Sequence, residues 1–381
     1  MLHRGICPES GVLFQLFDGW YFSKWRRALS SPKFCLILAS QERFIHRSTN
    51  TRHLKDLSVI IVNFRGGEKL KRCLNSLQAI SHQRFSLEVI VVDNQSDDGS
   101  LVAFIQQYPQ FTFKSNSGNN GFANGCNKGA TCSNGRVLLF LNPDTSVDEE
   151  AIYAMIQEVE KRPACSIVSC SQRREDGTMD RPYGRFLTVG TLTGWLRAIH
   201  RFFYGRLETR FMEEAKWLYP DWVSGSVVMI RKEDFFSLGG WDDNFWMYYE
   251  DVDLCRRARD AGGEIVLLKE AVIGHMHGGS SRSNLAVTVM TKTEVHISRH
   301  LYLSKHETRR KVRFMHLILI LNNMLLGLLP AILGVLLFFV KRVHILARIY
   351  FSLAIYYLNV IKSGSWMSER SVNYPAPRTK G

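Results

Sequence analysis

Three short runs of aliphatic and β-branched residues, separated by segments with helical spacing, constrain the fold of this chain more than any other feature. The runs occupy residues 57–62, 88–92 and 137–141, and each has the length of a buried strand. Between the first two, residues 68–80 carry apolar side chains at intervals of three and four, which predicts a helix with one buried face. Strands that alternate with helices pair in parallel through right-handed crossovers. The sequence therefore predicts an α/β domain with a mainly parallel central sheet flanked by helices.

Polar residues follow each of these predicted strands. Asn63 closes the first and Asp93 closes the second, while Asn142 and Asp144 follow the third. In parallel sheets, ligands bind beyond the carboxyl ends of the strands. We therefore expect a binding site at this edge of the sheet.

A second patterned block covers residues 222–285. It predicts a strand over 226–230, a helix over about 250–261 and a strand over 264–268. The preceding stretch, 172–221, is less regular and rich in arginine, glycine and aromatic residues. We expect insertion loops and short helices there, lying over the site.

Two apolar runs near the C-terminus predict membrane association. Residues 314–340 contain no Lys, Arg, Asp or Glu, and this apolar run is long enough to span a bilayer. The second run, 343–361, contains one residue of these four types, Arg348. Two asparagines and a proline in the first run leave a re-entrant or in-plane hairpin open as well. The alternative is a pair of helices buried in a soluble domain.

The formal net charge of +14 suits a polyanionic partner, which is a nucleic acid, an anionic membrane or a phosphorylated substrate. Nucleic-acid binding is the least favoured, because the basic residues are spread along the chain and also flank the apolar tail. Residues 1–56 are basic and aromatic. They predict either an interfacial amphipathic helix or a helix that packs on the domain.

The eight cysteines form no CxxC pair, which disfavours a zinc site of the usual spacing. Several lie inside apolar runs, which predicts buried, reduced thiols. Reduced thiols favour a reducing compartment for the main domain.

Asp144 is a candidate metal ligand. Pro143 turns the chain at the end of a strand, so that the carboxylate of Asp144 projects from the carboxyl edge of the sheet. One carboxylate, two diphosphate oxygens and water make a suitable site for Mg²⁺ or Mn²⁺. The alternative is that Asp144 caps a helix that starts near Asp148.

Three acids, Glu250, Asp251 and Asp253, fall in the first turn of the helix predicted over about 250–261. They can satisfy free amides and the helix dipole. However, three carboxylates within four residues, preceded by aromatics, exceed what capping requires. The dipole would also hold a carboxylate ionised near neutral pH, as a general base needs.

His275 can supply a nitrogen ligand to the same metal, which would tilt its preference toward Mn²⁺, although His277 can do so instead. A structural role is the alternative for either histidine.

The segment 119–129 is rich in glycine and asparagine, so that its backbone can approach a ligand closely. Neither GxGxxG nor GxxxxGK[ST] occurs in this segment, which disfavours a dinucleotide fold and a P-loop NTPase.

Taken in order, these motifs resemble the inverting family 2 glycosyltransferases, which have a GT-A fold. The resemblance is strongest to the bacterial rhamnosyltransferases of O-antigen and cell-wall assembly, and it spans about residues 57–285. Each motif alone is a weak signal, whereas the ordered set is specific. The matching segments are 58–63, 91–100, 119–123, 142–144, 250–257 and His275.

The resemblance implies a role for each candidate residue on the donor side. Asp93 would bind the pyrimidine base, beside Asn63 on the nucleotide-facing strand end. Asn142 stands where the family's metal-binding DxD motif has its first acid, so that fewer charges hold the metal. The segment that would pass near the nucleotide and the donor sugar contains Asn119, Gly121 and Phe122.

The resemblance also implies the metal ligands and the catalytic pair. Asp144 matches the last acid of DxD, and His275 matches a histidine that completes the metal site in some members. Asp251 matches the catalytic base, with Glu250 contacting the acceptor or holding the base. A single base opposite the leaving group gives inversion, whereas a retaining hydrolase needs two facing carboxylates about 5 Å apart.

We therefore expect a membrane-associated, metal-dependent enzyme with its catalytic domain on the cytoplasmic face. Its first expected donor is dTDP-rhamnose, followed by UDP-linked hexoses, and its expected acceptor is a glycan on a polyprenyl diphosphate lipid at an anionic membrane. The alternatives are a nucleotidyltransferase on a related fold and an inactive membrane-bound scaffold or polysaccharide-binding protein. The predicted regions are an N-terminal extension (1–56), the glycosyltransferase domain (57–285), a basic linker helix (286–312), apolar membrane helices (313–362) and a tail (363–381).

Overall fold

The computed structural model describes residues 55–204, 212–276 and 284–375. The predicted N-terminal extension lies outside these residues except for its last two positions, Lys55 and Asp56. Both belong to the first strand of the domain. His277 lies outside the described residues as well.

Four parallel strands form the first half of a ten-stranded sheet, in the order β3-β2-β1-β4. The apolar cores of β1, β2 and β4 are the three runs that the sequence predicts as strands, whereas β3 is short and mostly exposed. The α/β class with a parallel central sheet is thereby confirmed. The strands are β1 (Lys55–Asn63), β2 (Leu87–Asp93), β3 (Thr112–Ser115) and β4 (Gly135–Leu141).

Helices connect these strands and cover both faces of the sheet. On one face, Val59 and Ile61 of β1 belong to the same apolar cluster as Leu70 and Leu74, while Ile60 of β1 faces the opposite cluster. Each fully buried aliphatic side chain contributes about 1.5–3 kcal/mol to folding. The helices are α1 (Gly67–Gln78), α2 (Ser100–Gln107), α3 (Phe122–Thr131) and α4 (Glu149–Lys161).

The second half of the sheet is mixed. The strand β11 (Val227–Arg231) runs antiparallel to β4 and to β6 (Ile167–Arg173), and β12 (Ile265–His275) runs parallel to β6. The predicted strand over 264–268 is too short, because β12 continues past a register shift between Leu268 and Val272. The intervening Lys269 and Glu270 interrupt the apolar run, which hides the continuation in the sequence.

The remaining elements of the domain are short strands and three helices. The stretch 172–221 contains short strands as well as the predicted loops and short helices. The short strands are β5 (Thr145–Ser146), β7 (Tyr183–Gly184), β8 (Met212–Glu213), β9 (Trp217–Tyr219) and β10 (Trp222–Val223). The helices are α5 (Gly194–Tyr204), α6 (Lys232–Ser237) and α7 (Glu250–Asp260).

Helices make up most of the C-terminal region. The helix predicted over 286–312 is in fact two helices, because Glu307 and Thr308 have extended backbone. The first of them buries ten residues, so that it packs into the domain rather than linking regions. The helices are α8 (Leu285–His306), α9 (Arg309–Leu321), a π-helical turn (Asn322–Leu326), α10 (Leu328–Leu336) and α11 (Lys341–Ser363).

Two segments, Arg309–Leu336 and Lys341–Ser363, are long and apolar enough to cross a membrane, by length and composition alone. Only 22% and 28% of their most apolar windows are buried. A helix pair inside a soluble domain would be covered, whereas Phe338, Phe339 and Ile361 are largely exposed. The exposed apolar surface therefore favours membrane association.

Candidate active site

At the carboxyl ends of β1 and β2, Asn63 and Asp93 are paired in the ladder and buried. Asn63 Nδ2 donates to Asp93 Oδ1 at 2.7 Å. The backbone N–H of Ser96 donates to Asp93 Oδ2 at 2.9 Å, and Ser96 Oγ accepts from the N–H of Arg65 at 2.8 Å. This network fixes the orientation of the Asp93 carboxylate.

A cavity of about 240 Å³ lies at this edge, with Asp93, Ser96 and Asn116 among its lining residues. Gln95 and Asp97, which also line it, have left-handed backbone with φ of 56° and 50°. Non-glycine residues adopt that conformation only at a cost, and they concentrate at functional sites. The geometry thus forms a polar pocket beside the predicted base-binding acid.

The glycine-rich segment that begins α3 packs against the loop before α7. Phe122 N donates to Trp246 O at 3.1 Å, and Trp246 Nε1 donates to Asn119 O at 2.9 Å. Gly121 has φ of 91°, and a Cβ there would lie 2.2 Å from Trp246 O. Only glycine fits this position, because both the backbone conformation and the space exclude a side chain. The segment therefore links the carboxyl edge of the parallel strands to the loop before the helix that carries Asp251.

Asp144 meets His275 where the short strand β5 pairs with the end of β12. The distance from Asp144 Oδ1 to His275 Nε2 is 3.2 Å, and Asp144 O accepts from Met276 N at 2.8 Å. The N-cap of α4 is Asp148, whose Oδ1 accepts from Glu150 N at 2.8 Å. Asp144 is thus not the capping residue of that helix.

Gln172 fixes the orientation of the His275 ring. His275 Nδ1 lies 2.7 Å from Gln172 Oε1, and Gln172 Nε2 donates to Ser226 Oγ at 2.8 Å. When Nδ1 donates to this amide oxygen, the lone pair of neutral Nε2 faces the Asp144 carboxylate. Such second-sphere contacts commonly orient metal-bound histidines.

The distance between Asp144 Oδ1 and His275 Nε2 fits two adjacent ligands of one octahedral ion. Such ligands lie about 3 Å apart when each bond to the ion is about 2.1 Å long. The same contact is an ion pair when the imidazole is protonated. Within residues 55–204, 212–276 and 284–375, no three His, Cys, Asp or Glu side chains cluster around a possible metal. Any ion here would therefore take most of its ligands from substrate and water. Asn142, on the same strand end, donates its backbone N–H to Ser226 O at 3.0 Å.

Asp251 lies in the first turn of α7, where two backbone amides hold its carboxylate. Gly225 N donates to Oδ2 at 3.0 Å, and Val252 N donates to Oδ1 at 2.8 Å. Burial raises the pKa of Asp251, which is opposite in direction to the effect expected from the helix dipole alone. A base with a raised pKa accepts a proton more strongly.

Glu250 is almost completely buried, with 7% of its surface exposed. Burial and the neighbouring Asp251 raise the pKa of Glu250 well above its usual value. Its Oε2 has no hydrogen-bond partner among the described residues. Of the two acids, Glu250 is therefore the one whose neutral form its surroundings favour more strongly.

Asp253 behaves differently from its two neighbours. Its side chain is fully buried and pairs with Arg257, Lys305 and His306. Although burial raises the pKa of Asp253, these three partners lower it further, and the net shift is well below the usual value. This acid ties α7 to α8 and has a structural role.

Two tyrosines come directly before Glu250, and both have left-handed backbone conformation. Tyr248 has φ of 70° and Tyr249 has φ of 66°. Each such residue costs about 1–2 kcal/mol. The helix α8 holds this loop through two hydrogen bonds. Ser298 Oγ donates to the carbonyl preceding Tyr248 at 2.8 Å, and Arg299 Nε donates to the Tyr249 hydroxyl at 3.0 Å.

A cavity of about 370 Å³ brings the two halves of the site together. His275 and Asp251 both line it, so that the predicted metal side and the predicted base share one space. Sequence reasoning missed most of the other lining residues, and only the tyrosines next to the acids gave a local signal. These missed residues include Gln172, Arg181, Arg185, Trp222, Tyr248 and Tyr249.

Comparisons with known proteins agree on the class of this chain. The family model described as Glycosyl transferase family 2 matches residues 58–232, and that described as the N-terminal domain of galactosyltransferase matches 209–277. An N-acetylglucosaminyl-diphospho-decaprenol L-rhamnosyltransferase of Mycobacterium tuberculosis is 27% identical over 60% of this chain and 80% of its own. The rhamnosyltransferase WbbL of Escherichia coli K12 is 27% identical over 54% of this chain and 77% of its own.

Among solved structures, a mannosyltransferase from Pyrobaculum calidifontis aligns with a TM-score of 0.47 at 14% identity, over 71% of each chain. The sequence matches and the α/β sheet together identify a glycosyltransferase. More specifically, residues 58–232 match the model of glycosyltransferase family 2, as the ordered motifs predict.

Proposed function

We propose that this chain is an inverting, metal-dependent glycosyltransferase that moves rhamnose from dTDP-rhamnose to a hydroxyl of a lipid-linked glycan. The observation that carries the proposal is the shared cavity, which is lined by Asp251 on one side and by His275, the partner of Asp144, on the other. An inverting transfer needs this arrangement, because the hydroxyl attacks the anomeric carbon on the side opposite to the departing diphosphate.

Asp251 acts as the general base. The acceptor oxygen forms a bond to the anomeric carbon while the bond from that carbon to the diphosphate oxygen breaks. The hydroxyl proton passes to Asp251, and the electron pair of the broken bond leaves with the nucleoside diphosphate. The amides of Gly225 and Val252 hold the carboxylate in place during this transfer. The protonated Glu250 beside it keeps the negative charge on Asp251 alone.

Asp144 and His275 would hold a Mg²⁺ or Mn²⁺ ion. When bound, such an ion stabilises the negative charge that grows on the departing diphosphate. The orientation of His275 by Gln172 supports this assignment, since it directs Nε2 toward the carboxylate.

The remaining donor contacts belong to the sheet edge. Asp93, held by Asn63 and Ser96, would bind the pyrimidine base in the adjacent pocket. Asn119, Gly121 and Phe122 would shape the donor side through their backbone contacts with the Trp246 loop.

The acceptor assignment rests on the relatives and on the C-terminal helices. The mycobacterial relative is named for a diphospho-decaprenol substrate, and two segments of this chain are apolar enough to cross a membrane. A lipid diphosphate acceptor at an anionic, cytoplasmic membrane face agrees with the basic charge of the chain.

A panel of nucleotide sugars tests the proposal. The purified chain is incubated with each sugar in Mg²⁺ or Mn²⁺, and the released nucleoside diphosphate is measured. We expect release of dTDP from dTDP-rhamnose, and no release when the ion is chelated. Release from a different donor would refute the sugar assignment but keep the class, whereas turnover without any divalent ion would refute the metal.

A further inference from the structure

The helix α5 presents four large apolar side chains to the outside of the domain. Trp195, Ile199, Phe202 and Phe203 are 40%, 47%, 84% and 71% exposed. Their spacing of four, three and one residues places them on one face of the helix. Isolated exposed apolar residues are normal on a protein surface, but a contiguous aromatic face marks an interaction site.

The opposite face of α5 is cationic. Arg197 and Arg201 lie one turn apart, and both are exposed. Arg197 Nη1 donates to Thr191 O at 2.9 Å, which fixes this face relative to the preceding turn. A helix with an aromatic face and an arginine face has the composition of an interfacial helix, which lies in the plane of a membrane surface.

The position of α5 identifies which partner covers it. Leu196 packs into the same apolar cluster as Met315 and Leu319 of α9, where the first apolar segment begins. Leu187, which lines the cavity with Asp251, contacts this cluster too. One apolar cluster therefore connects α5, the wall of the cavity and the base of the apolar helices.

We propose that α5 is a membrane-docking surface that inserts its aromatic face among the acyl chains of an anionic bilayer. Trp195 and the phenylalanines would enter the interface, where tryptophan is enriched, and Arg197 and Arg201 would contact the anionic headgroups. Continuity with α9 favours a lipid over a second copy of the chain. A consequence is that the cavity lined by Asp251 opens close to the bilayer, where a lipid-linked acceptor is held.

Photolabelling from within the bilayer tests this surface without any assumption about the reaction. The full-length chain is reconstituted in phosphatidylcholine–phosphatidylglycerol vesicles that contain a phospholipid with a diazirine in its acyl chain. After irradiation, mass spectrometry locates the lipid adducts. We expect adducts on the α5 peptide and on α9 to α11, and none on the peptide with Phe236, an exposed phenylalanine (46%) on α6. Labelled α9 with unlabelled α5 would overturn the proposal.

Variants sharpen the result. The double substitution Phe202→Asp, Phe203→Asp should lower α5 labelling at least fivefold while α9 labelling and the melting temperature stay unchanged. The matched control Phe236→Asp should leave α5 labelling unchanged. If α5 instead covers a second copy, the double variant would convert a dimer in detergent to a monomer. That result would overturn the lipid assignment.

Discussion

The donor edge and the base side of the cavity are held in place by different kinds of contact. At the donor edge, Asn63 and Asp93 are neighbours in a parallel ladder, so that the sheet itself positions them. On the base side, the loop before Asp251 depends on Ser298 and Arg299 of α8. Strand pairing thus positions the proposed donor half, whereas the proposed acceptor half depends on the C-terminal helices that lead to the apolar segments.

The same contrast occurs within α7 on a smaller scale. Asp251 and Asp253 are two residues apart, but burial raises the pKa of the first, whereas Arg257, Lys305 and His306 hold that of the second well below its usual value. The raised pKa suits Asp251 to accept a proton, whereas the lowered pKa keeps Asp253 ionised. Their substitution should therefore affect chemistry and stability separately.

The largest expected effect is that of Asp251→Asn. Loss of a general base should lower kcat by about 10³-fold with an unchanged melting temperature. The rate at which the nucleoside diphosphate is released gives kcat. The matched control is Asp253→Asn, which leaves buried cations without a partner and should cost about 3 kcal/mol of unfolding free energy. Equal losses of activity and stability in both variants would erase the distinction between the two acids.

Removal of the metal side should have the next largest effect. We expect Asp144→Ala to lower kcat/KM by about 10²-fold, and chelation of divalent ions to do the same. Because both side chains would bind one ion, adding His275→Ala to Asp144→Ala should cost little more. Additive losses in this double-mutant cycle would show that the two residues act independently.

The substitution Gly121→Ala tests the contact between the start of α3 and the Trp246 loop before α7. The new Cβ would lie 2.2 Å from Trp246 O, which forces the two loops apart. We expect about a tenfold loss of kcat/KM, together with a lower melting temperature. Gly177→Ala is the matched control, because Gly177 also has positive φ (+81°) but nothing within 4 Å of the new Cβ. Equal effects in both variants would assign the loss to backbone strain alone.

The smallest effect concerns pH. The proposed base Asp251 would work ionised, and its pKa is raised by burial. Activity should therefore fall with decreasing pH at a higher pH than an ordinary aspartate, near 3.9, would give. A pH profile of kcat/KM locates this acid limb. In Glu250→Gln the limb should persist, because the titrating group is Asp251. Its disappearance would assign the base to Glu250.

Local patterns predicted β1, β2, β4 and β11, the ordered motifs and the candidate residues, because each depends on a few consecutive side chains. The strand β6 was not predicted. Long-range pairing decides the rest. The register of β6 and β12 brings Gln172 to His275, and no pattern near Gln172 announces this contact. Two of the three partners of Asp253, Lys305 and His306, lie about fifty residues downstream on α8, whose packing depends on the whole domain. Left-handed backbone at Tyr248 likewise cannot be inferred from tyrosine itself.

The anomeric configuration of the product tests the central claim most directly. If Asp251 is the single base and the leaving group lies on the Asp144 side, as we propose, only one displacement occurs at the anomeric carbon. Proton NMR of the sugar first released into water from dTDP-rhamnose reports its configuration before mutarotation. We predict the configuration opposite to that of the donor. Retention would contradict the account, because it requires a second group that attacks the sugar from the same cavity.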